Sequence, residues 1–475
     1  MKKTYINTII SAIAICMLTA GCGSSDQSSI LYEYSSTGTT ETAQAEAADI
    51  TLPSTEKTDD EAAETTTTTT AAEKSTDAAE TAQTQSGGTS ADAASIVSTS
   101  FTGSSSGMID TTDMFTERDL LQTPDLSEAE YITVSDGDEI SITAKGVYVI
   151  SGSASNCTIT VDADSEDKVQ IVLDGVSITN DDFPAIYVRN ADKVFITTAS
   201  GSENTLAVTG QFTADGDTNT DAVIFSKDDI VLNGLGTLSI SSAYGNGISC
   251  KDDLKVTGGS YNIVSALDAI EANDSVVICG GSFVISSQKD GIHCENDEDN
   301  SLGYIYIADG TFDISAVSDG IQVTTVVQVD GGTMNITARE GIEGTYVQVN
   351  GGNITISASD DGINASNKSS YYNVVIEFNG GYTDITMGAG DTDGVDANGT
   401  VYVNGGTVSV NTSGNSFDYD YGAEFNGGTI IINGQEVSEI PADMMGGFGG
   451  RGGMGGMDQG GFGGRDIRGD MGGFI

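Results

Sequence analysis

Six acids in the stretch from Gly245 to Gly414 are each followed, three residues later, by a second side chain able to ligate a metal ion. The pairs are Asp268 with Glu271, Asp290 with His293, Asp319 with Gln322, Glu340 with Glu343, Asp361 with Asn364, and Asp393 with Asp396. With Asn246 as a first member, the leading residues are spaced by 22, 22, 29, 21, 21 and 32 residues. Carboxylate and amide oxygens of this kind suit a hard divalent cation. Two carboxylates set across a cleft could instead hydrolyse a glycosidic bond, but nothing in the pattern singles out a catalytic pair.

The elements that must position these residues repeat with them. Each acid opens a line of short alternating segments that ends near paired glycines, as in Asp330-Gly331-Gly332 and Asn350-Gly351-Gly352. Aligning the lines on the second glycine gives one apolar column of Leu238, Tyr261, Phe283, Phe312, Met334, Ile354, Thr383, Val408 and Ile430, and a second running from Ile240 to Ile432. Such a repeat predicts an all-β fold, a right-handed parallel β-helix of about 21–22-residue coils, with the longer steps as loop insertions at a corner. The paired glycines fit a tight corner needing positive φ.

On that fold the acids stack into ladders about 4.8 Å apart, where neighbouring carboxylates repel by roughly 3 kcal/mol at an effective dielectric near 20. Calcium ions between rungs would relieve this. The expected ligands are Asp268, Glu271, Asp290, Asp319, Glu340, Glu343, Asp361, Asn364, Asp393 and Asp396, while His293 and Gln322 depart from an all-anionic ladder. The competing reading is that the acids cap corner N–H groups or face solvent. Only Lys289 and Arg339 flank the acidic column in sequence.

The rest of the chain divides by composition. Residues 1–21 resemble a lipoprotein signal peptide, and Leu18-Thr19-Ala20-Gly21-Cys22 resembles a lipobox, which implies a lipid on Cys22 and an anchored protein on the extracellular face. Residues 22–113 are Thr-, Ser-, Ala- and Glu-rich and read as a disordered linker, 114–440 as the folded domain, and 441–475 as a Gly- and Met-rich disordered tail. The net charge of -52, from 70 acidic and 18 basic residues, argues against nucleic acid as a partner and leaves the membrane to the lipid anchor alone. Cys250 and Cys294 fall two coils apart, too far for a disulfide, and with Cys157 and Cys279 read as buried thiols.

Several segments together resemble a bacterial β-helical carbohydrate-binding family: Phe115 to Leu120, GVYVISGS, VQIVLDGVSITN, AIYVRNADKVFITTASGSENTL, and the coils that open DDGI and EGIEG. The resemblance covers roughly Phe115 to Ile440. It implies a pectate-lyase-like β-helix carrying Ca²⁺ at the acid-Gly-Ile corners, and binding of polysaccharide, either cellulosic or acidic such as polygalacturonate. It places no sugar-contacting residue. A calcium-dependent lyase on uronate polymers would need a Lys or Arg base near the metal, and a structural adhesin would need no sugar site. Non-catalytic binding is the leading reading. Tyr306 and Tyr402 are expected in an outward column with Lys255, Val277, Gln328, Gln348 and Glu377, with Tyr371, Tyr372 and Tyr382 near an insertion.

Overall fold

The alternation of apolar and polar residues produces short strands that pair in parallel with the equivalent strand of the next repeat. A computed structural model describes residues 96–390 and 392–441, which belong to one compact unit. Among the described residues there are 36 strands and no helix, arranged as a 24-stranded and a 12-stranded sheet. The expected signal peptide, Cys22, the linker up to residue 95 and the tail from 442 lie outside the described residues.

Register follows the expected columns. Tyr261 pairs with Phe283, Phe283 with Phe312, Phe312 with Met334 and Met334 with Ile354, and the series continues through Thr383 and Val408 to Ile430. These side chains are all buried, and the Phe283 and Phe312 rings stack with centroids 4.8 Å apart. A second wall comes from strands such as Val326–Val329 and Tyr346–Val349, and a third from the corner strands, whose Ile292, Ile321, Ile342, Ile363 and Val395 are buried. Repeats stacked in this way, each burying its neighbour's apolar edge, are compatible with a parallel β-helix.

The corners follow from the glycines and amides. The second glycine of each pair has positive φ, for example 90° at Gly332 and 91° at Gly352. The residues before several pairs form an amide ladder: Asn379 donates to Asn350 at 2.8 Å, Asn404 to Asn379 at 2.9 Å and Asn426 to Asn404 at 2.9 Å. The last strand of the array departs from the pattern. Thr429–Ile432 turns through Asn433 (φ 52°) and Gly434 (φ 77°), and Gln435–Val437 comes back antiparallel to it.

Residues 96–113, expected to continue the linker, instead fold onto the sheet together with 114–123. Thr99 donates to the Thr257 carbonyl at 2.7 Å, the backbone N–H groups of Ile109 and Met108 donate to the Gln328 and Gln348 side chains at 2.7 and 3.0 Å, and Lys255 donates to the Met114 carbonyl at 2.6 Å. Phe101 packs edge-on against Phe115 and Tyr306. The expected outward column is therefore covered along much of its length, with Val277, Tyr306, Gln328 and Gln348 all buried. A segment poor in large apolar residues folds here because the sheet supplies side-chain amides for its backbone and an aromatic ring for Phe101.

Candidate functional site

The leading acids open the corner strands, and the glycine that follows them sets how closely the coils approach. A Cβ on Gly341 would fall 2.3 Å from the Gly362 carbonyl oxygen and 2.5 Å from Ile356 Cγ2, so the acid-Gly-Ile motif is in part a packing requirement. The second members of the pairs stack in register, Glu271 with His293, then Gln322, Glu343, Asn364, Asp396 and Asp418.

The first rungs are a hydrogen-bonded, charge-paired network. Asn246 Oδ1 accepts from the backbone N–H of Asp268 at 2.9 Å, Asp268 Oδ1 from that of Asp290 at 2.9 Å, and Asp290 Oδ1 from that of Asp319 at 3.0 Å. Each side chain thereby satisfies the backbone of the next coil. Lys289 Nζ lies 2.8 Å from Asp268 and 3.5 Å from Asp290, and His293 Nδ1 lies 3.3 Å from Asp268. Burial pushes the Asp268 carboxyl up, but the hydrogen bonds and charges of His293 and Lys289 outweigh it and hold the group at about 2. Burial likewise disfavours the charged His293 ring, and Asp268 more than offsets this and raises its pKa. Glu271 accepts from Asn246 at 2.6 Å and Ser249 at 2.9 Å and pairs with Lys251 at 3.4 Å, so it is committed within the protein.

Farther along, Arg339 bridges Glu340 at 2.6 Å and Asp319 at 3.2 Å, and Lys368 lies 2.8 Å from Glu343. The expectation that Lys289 and Arg339 alone flank the ladder is thus corrected. Lys251 and Lys368 reach it from the segments that follow the corner strands, a proximity that linear spacing to the acids does not reveal.

The last rungs differ. Carboxylate oxygens of Asp361, Asp393 and Asp396 lie within 4.8 Å of one another, and among the described residues no basic side chain is within ion-pairing distance of Asp361 or Asp396. Burial, then the charges of Asp396 and Glu340, push Asp361 up to about 7, and burial with Asp418 and Asp393 pushes Asp396 up to about 6. Asn364 donates Nδ2 to Glu340 at 3.0 Å, while its Oδ1 is buried with no hydrogen-bond partner among the described residues. Asp319, Glu340 and Glu343 form a second group within 4.8 Å, with Asp319 pushed up to about 7 by burial and by Glu340 and Asp290.

These groups fit a hard cation to different degrees. Calcium ligands at 2.3–2.6 Å stand at most about 5 Å apart across the ion, a span that the oxygens of Asp361, Asp393 and Asp396 satisfy. The orphaned Asn364 oxygen adds a neutral ligand on the same rungs. The trio Asp268, Asp290 and His293 also lies within 4.8 Å, but its nitrogen ligand and its bound Lys289 suit an ion-pair network instead. A further acidic trio, Asp229, Asp252 and Asp253, was not singled out from sequence, although the recurring Lys-Asp-Asp at 227–229 and 251–253 marks it. Burial and neighbouring acids push Asp252 up to about 6, and Lys193 lies 3.3 Å from Asp229.

The sequence profile of the carbohydrate-binding domain-containing protein family matches residues 136–394 and 343–438, which together span most of the described fold. The chain belongs to this family. A carbohydrate-binding domain-containing protein of Acetivibrio thermocellus is 39% identical over 201 residues, covering 42% of this chain and 70% of that relative. A solved structure titled as a polysaccharide lyase-like protein from C. thermocellum, a gadolinium derivative, is 32% identical and covers 45% of this chain and 92% of that one, with a TM-score of 0.43. Within the carbohydrate-binding family match lie both the charge-paired early rungs and the clustered carboxylates of Asp361, Asp393 and Asp396.

Proposed function

We propose that this protein is a cell-surface lipoprotein, anchored through Cys22, that binds plant-type or acidic polysaccharide on a right-handed parallel β-helix of about 21–22-residue coils stabilised by Ca²⁺. Membership of a carbohydrate-binding family supports the polysaccharide partner. The observation that carries the metal is the carboxylate group of Asp361, Asp393 and Asp396, gathered within 4.8 Å, together with the unpartnered Asn364 oxygen. Asp319, Glu340 and Glu343 form a second candidate site, tempered by Arg339 and Lys368.

Binding is favoured over elimination by the state of the bases. A lyase base must be uncommitted and within reach of the proton it removes. Lys251, Lys289, Arg339 and Lys368, which border the ladder, each pair with its carboxylates. The test is incubation of the full chain with polygalacturonate and with cellulose in calcium. Retention on a polymer without release of unsaturated product is the expected result. Steady growth of ultraviolet absorbance on polygalacturonate would establish the lyase reading in its place.

A further inference from the structure

Three tyrosines from successive coils meet at an open groove: Tyr372, Tyr402 and Tyr421 line it together with Asn373, Asn398 and Thr400. Its volume is about 420 Å³, within the range of small-molecule sites. We infer that this groove is the sugar-binding site and that it takes a neutral polysaccharide chain, an assignment that rests on the polysaccharide-binding reading above and names its ligand class.

The groove exists because two coverings stop short of it. The segment 96–123 seals the outward column as far as Gln348, and the column then continues through half-buried Glu377 and Tyr402 to exposed Glu424. The insertion after Asp361 carries Tyr371 and Tyr372, whose rings meet edge to face at 5.0 Å, and stands beside the strand Thr400–Val403. Tyr421 precedes the next strand and is 84% exposed, so its ring contributes little to the fold. With coils about 4.8 Å apart, three successive coils spread these rings over about 10 Å, enough for a short stretch of an extended sugar chain.

The side-chain types match a sugar. Tyrosine offers a rigid ring for the C–H face of a pyranose and a hydroxyl at its edge, at low entropic cost. Asn373 and Asn398 are exposed and offer both donors and acceptors for hydroxyls, unlike Asn350, Asn379, Asn404 and Asn426, which spend their amides on one another. Charge selects the class of polymer. Among the described residues no charged side chain lines the groove, and Tyr402 stands between Glu377 and Glu424 in its column, so a polyuronate would meet like charge.

The test is calorimetric titration of the full chain with cellohexaose, xylohexaose and mannohexaose, beside retention on polygalacturonate, for the wild type and for Tyr402→Ala, Tyr421→Ala and Tyr421→Phe. Binding of at least one neutral oligosaccharide is expected, weakened tenfold or more by either alanine variant and kept by Tyr421→Phe, with thermal midpoints of Tyr421→Ala and wild type equal. Unchanged affinity in both alanine variants overturns the assignment. So does retention on polygalacturonate with no binding of any neutral probe, which leaves the polysaccharide-binding reading standing. Absence of binding to every polymer overturns both.

Discussion

Asn364 donates across one rung to Glu340 at 3.0 Å, and the bond leaves its Oδ1 buried without a donor among the described residues, on a rung that pairs with Glu343 on one side and Asp396 on the other. In the proposed calcium site this oxygen is a ligand to the cation. Added calcium is therefore expected to raise the thermal midpoint of the chelator-treated protein. The double variant Asp361→Asn with Asp396→Asn should lose that rise, and Asn364→Ala should weaken calcium binding about tenfold, the worth of roughly 1.4 kcal/mol. Asp268→Asn, on a rung already paired with Lys289 and His293, should keep the full calcium response. An equal response in all these variants would place the ion elsewhere.

The same rungs set the pH dependence. Asp319 and Asp361 are pushed up to about 7 and Asp396 to about 6 in the folded protein, well above the values of an unfolded chain. A carboxyl whose pKa is raised on folding binds its proton more readily in the folded state, so stability grows as pH falls through the folded pKa and levels off near pH 4. His293, also raised, acts in the same direction: its stabilising charge is present at low pH and is lost as pH rises through its folded pKa. In chelator the thermal midpoint should rise between pH 8 and pH 5, and saturating calcium, which holds the carboxylates ionised, should flatten that rise. A midpoint in chelator that falls over this interval would contradict the raised carboxyls.

Thr383 stands in the apolar column between Ile354 and Val408, and its Oγ1 is buried without a hydrogen-bond partner among the described residues. Leaving such a group unsatisfied costs about 1–3 kcal/mol. Thr383→Val keeps the shape and removes the hydroxyl, and it should stabilise the protein by about 1 kcal/mol in denaturant titration. A loss of stability would show that the hydroxyl is satisfied in solution.

The covering segment 96–123 makes a prediction of its own. Phe101 packs against Phe115 and Tyr306 with centroids 4.7 and 6.3 Å away. Phe101→Ala should cost about 2 kcal/mol, at the low end of aromatic truncations because the ring is only partly buried. It should also raise the iodide quenching of tyrosine fluorescence as Tyr306 is uncovered. Unchanged stability and quenching would mean that the segment does not hold to the sheet.

The columns from Leu238 to Ile430 and from Glu271 to Asp396 were legible residue by residue, because strand period and paired glycines fix which side chains share a face and which share a rung. What escaped sequence reasoning was contact across the fold. Lys251 and Lys368 lie outside the repeating acid pairs, and only the turn of the chain brings them to Glu271 and Glu343. The Ser-, Thr- and Gly-rich run at 98–107 has the composition of a linker, and its fold depends on Gln328 and Gln348 more than 200 residues away. Tyr306 pointed outward as the alternation required, yet outward was not exposed.

A stack of parallel strands ends in a row of unpaired N–H and C=O groups, which is a template on which a second copy of the chain could add. Two consecutive residues with positive φ, Asn433 and Gly434, are the backbone requirement of a tight hairpin. They send Gln435–Val437 back along Thr429–Ile432 against the direction of the preceding coils. Along this edge of the larger sheet the parallel order thus finishes in a strand of the wrong polarity for further parallel addition, and a two-residue turn is what reverses it.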